Sequence, residues 1–365
     1  MSISETPNSL EGIAIIGMAG GFPGAKSIEK FWQNIRDGVE SITVSLFGVN
    51  PIIIVIGSIL AIFALILITL MSSYFLKRIL LKKKRKLIWT PISSIERRSN
   101  LSSDEFIKEY ASIGKPVIIT DVVKNWKAST KWTLDFFREK YGPVKTDGVR
   151  DRNNGTNISM TVADYMDYLE TGDSEQSLYL FDFYMFEHPE LYEDFEIPVY
   201  CQKNLLEILP EKLFAKYFRQ YLYLIIGRKE SSIGLHTDAF FTQGWLAAIY
   251  GRKRFILIPP DKQEFVYDGE VDAFNPDLEK FPLYANAKPV EFILSPGELL
   301  YIPCMWWHQA ENLENTIAWG VNTVNELNFE MVVHAASEVN PIIANLLGFL
   351  LEFPWLGRVI FANID

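Results

Sequence analysis

Three residues of this chain could together perform metal chemistry. His236 and Asp238 stand two apart in SSIGLHTDAFF, and His308 follows in LSPGELLYIPCMWWHQAEN, in a chain with four histidines. Along a strand, residues i and i+2 share a face, so His236 and Asp238 can address one ion while Thr237 points away. Two neutral imidazoles and one hard carboxylate suit Fe(II), and three ligands on one side leave the remaining positions open for oxygen and a co-substrate. A His-x-Asp pair arises often by chance, so its surroundings must carry the argument.

Those surroundings read as strands. YLYLIIG runs into SSIGLHTD, and GWLAAIYGRKRFILIPP and VEFILSPGELLYIPCMWWH follow, each apolar, β-prone and punctuated by Gly or Pro. His308 must then reach the metal from a strand distant in sequence from the one that carries His236.

The runs GRKRFILIPPD, SPGELLYIP before WWH, and IAWGVN resemble the cupin-like JmjC hydroxylases, as does the upstream stretch DYMDYLETGDSEQSLYLFDFYMFEHPELYEDFEIP. The resemblance covers roughly Pro91 to Glu326. It implies a mainly β fold with flanking helices, a double-stranded β-helix (jelly roll), and a dioxygenase dependent on Fe(II) and 2-oxoglutarate. Carried over by residue, it implies His236, Asp238 and His308 as iron ligands and Lys253 as partner of the distal 2-oxoglutarate carboxylate. Asn322 and Tyr179 match positions that donate hydrogen bonds near the co-substrate. A lysine there makes physical sense, because a dicarboxylate entering an apolar barrel needs a cation to offset its desolvation.

Two positions depart from the family pattern. Many relatives carry threonine where this chain has Ile233 and asparagine where it has Leu246. Losing two neutral hydrogen bonds weakens co-substrate binding by roughly 1–3 kcal/mol. These departures keep an alternative in play: a catalytically silent cupin that binds without turnover. A cupin using another divalent metal for isomerisation is disfavoured by Lys253 and the WWH context. Trp306 and Trp307 read as core, His188 and His334 as structural, and Cys201 and Cys304 form neither a CxxC motif nor a disulfide framework.

The chain of 365 residues, 48% hydrophobic and 14% aromatic, can bury one substantial core, and the rest reads as attachments. Residues 51–70, PIIIVIGSILAIFALILITL, carry no charge, and the apolar run extends through residue 76. At about 1.5 Å per residue a helix of that length crosses a hydrocarbon layer of about 30 Å. A basic linker, 77–90, follows, with seven Lys or Arg between Lys77 and Lys86 against three in the first 45 residues. The positive-inside bias therefore predicts a single-pass membrane protein with its catalytic domain in the cytoplasm. Residues 11–43, within an N-terminal segment 1–45, resemble the extreme N-terminus of polyketide-synthase ketosynthase domains. That segment carries none of that family's catalytic cysteine or histidines, and it predicts a short strand, a Gly/Pro loop and a helix near Ser27 to Asp37.

Domain boundaries are expected at 91–326 for the cupin-like JmjC domain and 327–365 for an apolar C-terminal helical segment. SSDEFIKEYASIG and TLDFFREKYG predict helices and KPVIITDVV a strand. Asp147 to Thr156 reads as a turn-rich loop, and Asp261 to Ala287 as a long insertion between barrel strands, of the kind that sets substrate choice. The C-terminal helices suit packing on the domain or homodimerisation better than a second span, since Glu352 and Pro354 interrupt them. Residues 88–365 hold 25 Lys and Arg against 40 Asp and Glu. That balance argues against nucleic acid as a partner and points to a protein or small-molecule substrate, a basic peptide side chain or a neutral molecule fitting best.

Overall fold

The computed structural model describes residues 24–39, 51–80, 88–152, 155–172, 177–202, 204–208 and 222–361. It divides into two compact units, Met1–Arg78 and Ile79–Asp365.

In the first unit, Ile28–Arg36 is a helix whose N-cap, Ser27, accepts a hydrogen bond from the Lys30 amide at 3.2 Å. This matches the helix expected within the ketosynthase-like segment; the strand expected before it lies outside the described residues. Pro51–Leu80 is one continuous helix. Its stretch Val55–Tyr74 is long and apolar enough to cross a membrane, and it exposes apolar residues such as Leu60 and Leu65, over 60% of whose surface is free. Its one Thr spends its hydroxyl on the Leu65 carbonyl, 2.8 Å away, so it adds no open polar site.

Among the described residues the second unit has thirteen strands: β1 Glu96–Arg98, β2 Val117–Ile119, β3 Lys145–Asp151, β4 Asn157–Thr161, β5 Leu178–Tyr184, β6 Leu222–Gly227, β7 Ser232–His236, β8 Gln243–Tyr250, β9 Lys253–Ile258, β10 Val290–Leu294, β11 Leu299–Ile302, β12 Trp307–Asn312 and β13 Thr316–Thr323. Nine form one sheet in the order β1-β2-β11-β8-β13-β6-β5-β3-β4, and four form a second in the order β10-β9-β12-β7. Alternation explains how the two meet. Phe255 and Leu257 of β9 and Phe292 and Leu294 of β10 share a buried cluster with Ile225, Leu246 and Leu300 of the large sheet. The opposite residues of the large sheet, including Trp245, Tyr301 and Trp319, pack with Phe106, Phe137 and Tyr165 from flanking helices.

The helices begin where the sequence places them. Ser103–Glu109 opens on a capping box in which Ser102 and Glu105 satisfy each other's backbone amides. Leu134–Tyr141 is capped by Thr133 and ends at Gly142. Ser102→Ala should lower stability by about 1 kcal/mol, read as a lower urea midpoint with unchanged slope.

Three expectations need correction or refinement. The Asp147–Thr156 segment is not all loop: β3 runs to Asp151 because Val149, fully buried, pairs with Leu180 of β5 and with Ile158 of β4. The Asp261–Ala287 insertion forms three short 3-10 turns that lay Val266, Val271 and Tyr284 over Ile256 and Ile258, on the outer face of the small sheet. Only Gly269 of that insertion lines the interior cavity described below. The described part of the C-terminal segment is three helices, Phe329–Val339, Pro341–Glu352 and Pro354–Phe361, each too short to span a bilayer. Leu347, Leu350 and Leu351 bury against Val332 and Val333 of the first of these helices and Val324 of the domain.

Candidate metal centre

His236 ends β7 and His308 lies near the start of β12, and the antiparallel register sets them directly opposite each other. Their rings stand 4.2 Å apart between centroids. Asp238, two residues past His236, completes a group whose ligand atoms all lie within 4.8 Å of one another. β7 stops at His236, so the strand pairing sets the two histidines together, and Asp238 joins them from the extended residues just past the strand end.

The backbone sets the tautomers. His236 Nδ1 is 2.7 Å from the Gly234 carbonyl oxygen and His308 Nδ1 is 3.1 Å from that of Trp306. Only an N–H can meet a carbonyl, so Nδ1 carries the proton on each ring and Nε2 keeps a free lone pair. Burial, helped by His308 alongside, pushes His236 down to about 3, so its imidazole is neutral at physiological pH. Burial pushes the Asp238 carboxyl up, against the stabilising influences of His308 and a hydrogen bond from Asn322. Among the described residues no lysine or arginine pairs with this buried carboxylate, and each imidazole beside it keeps its Nε2 lone pair free. A divalent metal supplies the missing charge and uses the free lone pairs, so the donor set fits iron.

Gly244 of β8 makes room for this group. A Cβ built there would collide with the Asp238 Oδ2. Gly244→Ala should therefore displace the carboxylate, and the expected outcome is a folded protein with at least tenfold weaker metal binding, read by metal titration and circular dichroism.

The three residues line a cavity of about 580 Å³ between the sheets. At its inner wall Lys253 is 1% exposed. Its Nζ donates to Tyr179 Oη at 2.8 Å, to Asn312 Oδ1 at 2.5 Å and, more weakly, to Thr316 Oγ1 at 3.4 Å. These acceptors are neutral, and no carboxylate pairs with Lys253 among the described residues. A buried ammonium held only by neutral oxygens, in the same cavity as the triad, fits the far carboxylate of a dicarboxylate co-substrate. Lys253 and Asn312 are cross-strand partners, and Asn312 follows His308 by four residues on the same face of β12. That i+4 position was the readable signal for Asn312, which the sequence reading passed over.

Of the other residues singled out, Tyr179 lines the cavity and meets Lys253 as described. Asn322 hydrogen-bonds the Asp238 carboxylate and donates Nδ2 to Thr242 Oγ1 at 2.7 Å, so its polar groups steady the triad. Ile233 and Leu246 both line the cavity. A bulge between His308 and Ala310 shifts the β7 register, which turns Ile233 toward the interior. Trp306 is core, donating Nε1 to the Gly114 carbonyl at 3.0 Å, and His188 stacks on Phe183. Cys201 and Cys304 are both free thiols. The sequence reading also missed Arg150 and Arg152 of the cavity wall, because it had placed them in a loop.

Two facing sheets that enclose a cavity lined in part by a His-x-Asp pair and a distant His define a cupin-class domain. The chain belongs to the family described as "Cupin-like domain", whose family model matches residues 102–332. Similar proteins include "Lysine-specific demethylase JMJ21" of Arabidopsis thaliana, 38% identical over 66% of this chain and 26% of that protein. "Bifunctional arginine demethylase and lysyl-hydroxylase psr-1" of Caenorhabditis elegans is 27% identical over 64% of this chain and 62% of its own length. "2-oxoglutarate and iron-dependent oxygenase JMJD4" of Mus musculus is 25% identical over 67% and 63%. The chain thus spans between 26% and 63% of the length of these three relatives. A second family model, "Beta-ketoacyl synthase, N-terminal domain", matches residues 10–48, in line with the resemblance noted there.

Proposed function

We propose that this chain is a membrane-anchored dioxygenase dependent on Fe(II) and 2-oxoglutarate, hydroxylating a protein side chain or a small metabolite. The observation that carries the reading is the convergence, in one cavity, of a buried carboxylate beside two imidazoles and a buried ammonium held, among the described residues, by neutral oxygens. His236, Asp238 and His308 would hold the metal, and Lys253 the far carboxylate of 2-oxoglutarate. With metal and 2-oxoglutarate bound, dioxygen would be the oxidant: one oxygen atom would end in succinate as 2-oxoglutarate loses carbon dioxide, and the other in the hydroxylated C–H bond.

The chain's own residues do the rest. The Gly234 and Trp306 carbonyls fix both imidazoles, Asn322 fixes Asp238, and Tyr179 and Asn312 hold the Lys253 ammonium in place. Ile225, Ile233, Leu246 and Phe255 surround the cavity with apolar surface, which limits water near the reacting C–H bond. The cupin-like domain is taken as 91–326, tethered by the helix in 51–76 through the basic linker 77–90 and followed by the helical segment 327–365. The basic residues after the span support a cytoplasmic active site. Leu346, Trp355 and Val359 of the C-terminal helices remain exposed, which suits self-association into a homodimer.

The test is succinate release by the purified full chain with Fe(II) and 2-oxoglutarate. The native chain should exceed His236→Ala at least a hundredfold; equal rates overturn the reading. Ile233 and Leu246 favour a second reading, a silent binding module. Anaerobic titration with Fe(II) and 2-oxoglutarate separates the two: the visible metal-to-ligand band of the ternary complex supports the enzyme, and its absence supports the module.

A further inference from the structure

The cavity holds two more cations that the proposed chemistry leaves unused. Arg150 and Arg152 lie two apart at the end of β3, and both line the cavity. Their shared face follows from the register. Arg150 is cross-strand partner of Tyr179, which points into the cavity to meet Lys253, whereas Val149, the residue just before Arg150, packs into the opposite cluster. Arg152 continues the pairing, its amide bonded to the Ser177 carbonyl at 2.8 Å.

Geometry ties Arg152 to the metal strand. Its Nη2 lies 3.9 Å from where a Cβ on Gly234 would sit, and Gly234 is two residues before His236. Gly148, two residues before Arg150 on the same face, also lines the cavity and leaves its volume open.

Neither guanidinium makes a hydrogen bond or ion pair among the described residues, and the Nε of each is buried without a partner. A structural arginine spends its donors on carboxylates or carbonyls, because a buried unpaired donor is costly. Here two adjacent planar forks face a cavity whose one lining carboxylate, Asp238, belongs to the metal-binding group and pairs with neither of them among the described residues. Two guanidiniums side by side repel each other and any cationic side chain, and they match an anion's oxygens in a two-pronged geometry. The acidic total of the domain therefore says nothing about the local sign at this wall.

We propose that Arg150 and Arg152 form a substrate subsite for an anionic group, so that the molecule hydroxylated carries a carboxylate or phosphate near its reacting carbon. The proposal rests on the dioxygenase reading for the word substrate, but its anion site can be tested separately. It also sets this chain apart from relatives whose names specify lysine or arginine side chains.

The test is calorimetric titration of the full chain in detergent, with Zn(II) as a redox-silent stand-in and saturating 2-oxoglutarate. The probes are N-acetyl methylamides of glutamate, phosphoserine, glutamine and lysine. At least one anionic probe should bind tenfold or more tightly than the glutamine and lysine probes, and which one does distinguishes carboxylate from phosphate. The double variant Arg150→Gln, Arg152→Gln should lose that preference, the charge-keeping Arg150→Lys, Arg152→Lys should retain part of it, and 2-oxoglutarate affinity should stay within twofold in both. Equal binding of all probes, tighter binding of lysine, an unchanged preference in the glutamine variant, or loss of 2-oxoglutarate binding in it would each overturn the subsite. Anion preference without metal-dependent 2-oxoglutarate binding would instead sink the dioxygenase reading and leave the anion site standing.

Discussion

Replacing Asp238 by asparagine should raise the melting temperature of the metal-free protein and abolish the stabilisation that Fe(II) gives the native chain. The first effect follows from the buried carboxyl, whose titration is raised because ionisation inside the cavity costs desolvation without a cation to offset it. A group raised in the fold contributes stability below its unfolded value of about 3.9, and that contribution is lost as pH rises through the folded value. The gap between variant and native protein should therefore be small near pH 4 and widest at neutral pH. Removing an uncompensated buried charge is worth about 1–3 kcal/mol. At about 2–4 °C per kcal/mol for a domain of this size, that is a shift of several degrees. His236, depressed to about 3, contributes the opposite slope, destabilising the fold as pH falls below about 6.5. It is present in both proteins, so it cancels in the difference. The second effect follows from mass action: metal at a hundred times its dissociation constant adds about 2.7 kcal/mol to the native chain only. Thermal melts over pH, with and without Fe(II) under nitrogen, check both. A variant that melts lower without metal, or that keeps the metal-induced shift, would refute the assignment of Asp238.

The triad was legible because its geometry is local where it matters. His236 and Asp238 stand two apart along chain that stays extended past the end of β7, and His308 needed only a second strand alongside. Lys253 was legible through resemblance, not through physics, since its neighbours Arg252 and Arg254 look the same in sequence. The structure separates them by alternation: Lys253 points inward, while Arg252 pairs with Glu314 and Arg254 with Glu291 at the surface. The partners of Lys253 were less readable, because Tyr179 and Thr316 reach it across strands far apart in the chain. Arg150 and Arg152 were hidden for a different reason. Asn153, Asn154 and Gly155 give the segment the composition of a turn, and nothing local reveals that Val149 has Leu180 to pair with. Nonlocal pairing overrode turn chemistry there. Ile233 was read as a departure from a pattern, but its inward turn depends on a bulge in β7 and β12 that no single-strand alternation predicts.

Lys253→Met should cost the protein its co-substrate without costing it the fold. Methionine nearly matches the lysine stem in volume and can occupy the same apolar channel, so packing against Phe255 and its neighbours survives. What disappears is a buried ammonium whose partners, Tyr179, Asn312 and Thr316, are neutral and partly satisfy one another: Thr316 Oγ1 donates to Asn312 Oδ1 at 2.9 Å, and Asn312 Nδ2 donates to Ser231 Oγ at 2.9 Å. The metal-free variant should therefore melt within a few degrees of the native chain. The 2-oxoglutarate complex is another matter, because truncating one partner of a buried charge pair costs about 2–5 kcal/mol, much of it from stranding the other charge. Its dissociation constant should rise by about 30-fold to several thousandfold, at 1.4 kcal/mol per power of ten. Metal affinity should change little, since the triad keeps its ligands and their carbonyl and amide partners. Anaerobic titration of the Fe(II)-loaded variant with 2-oxoglutarate measures the first quantity, and metal titration the second. If 2-oxoglutarate binds the variant as tightly as the native chain, Lys253 is not its anchor. The arginines of β3 then become the candidates, and the anion site they form would belong to the co-substrate instead of the substrate.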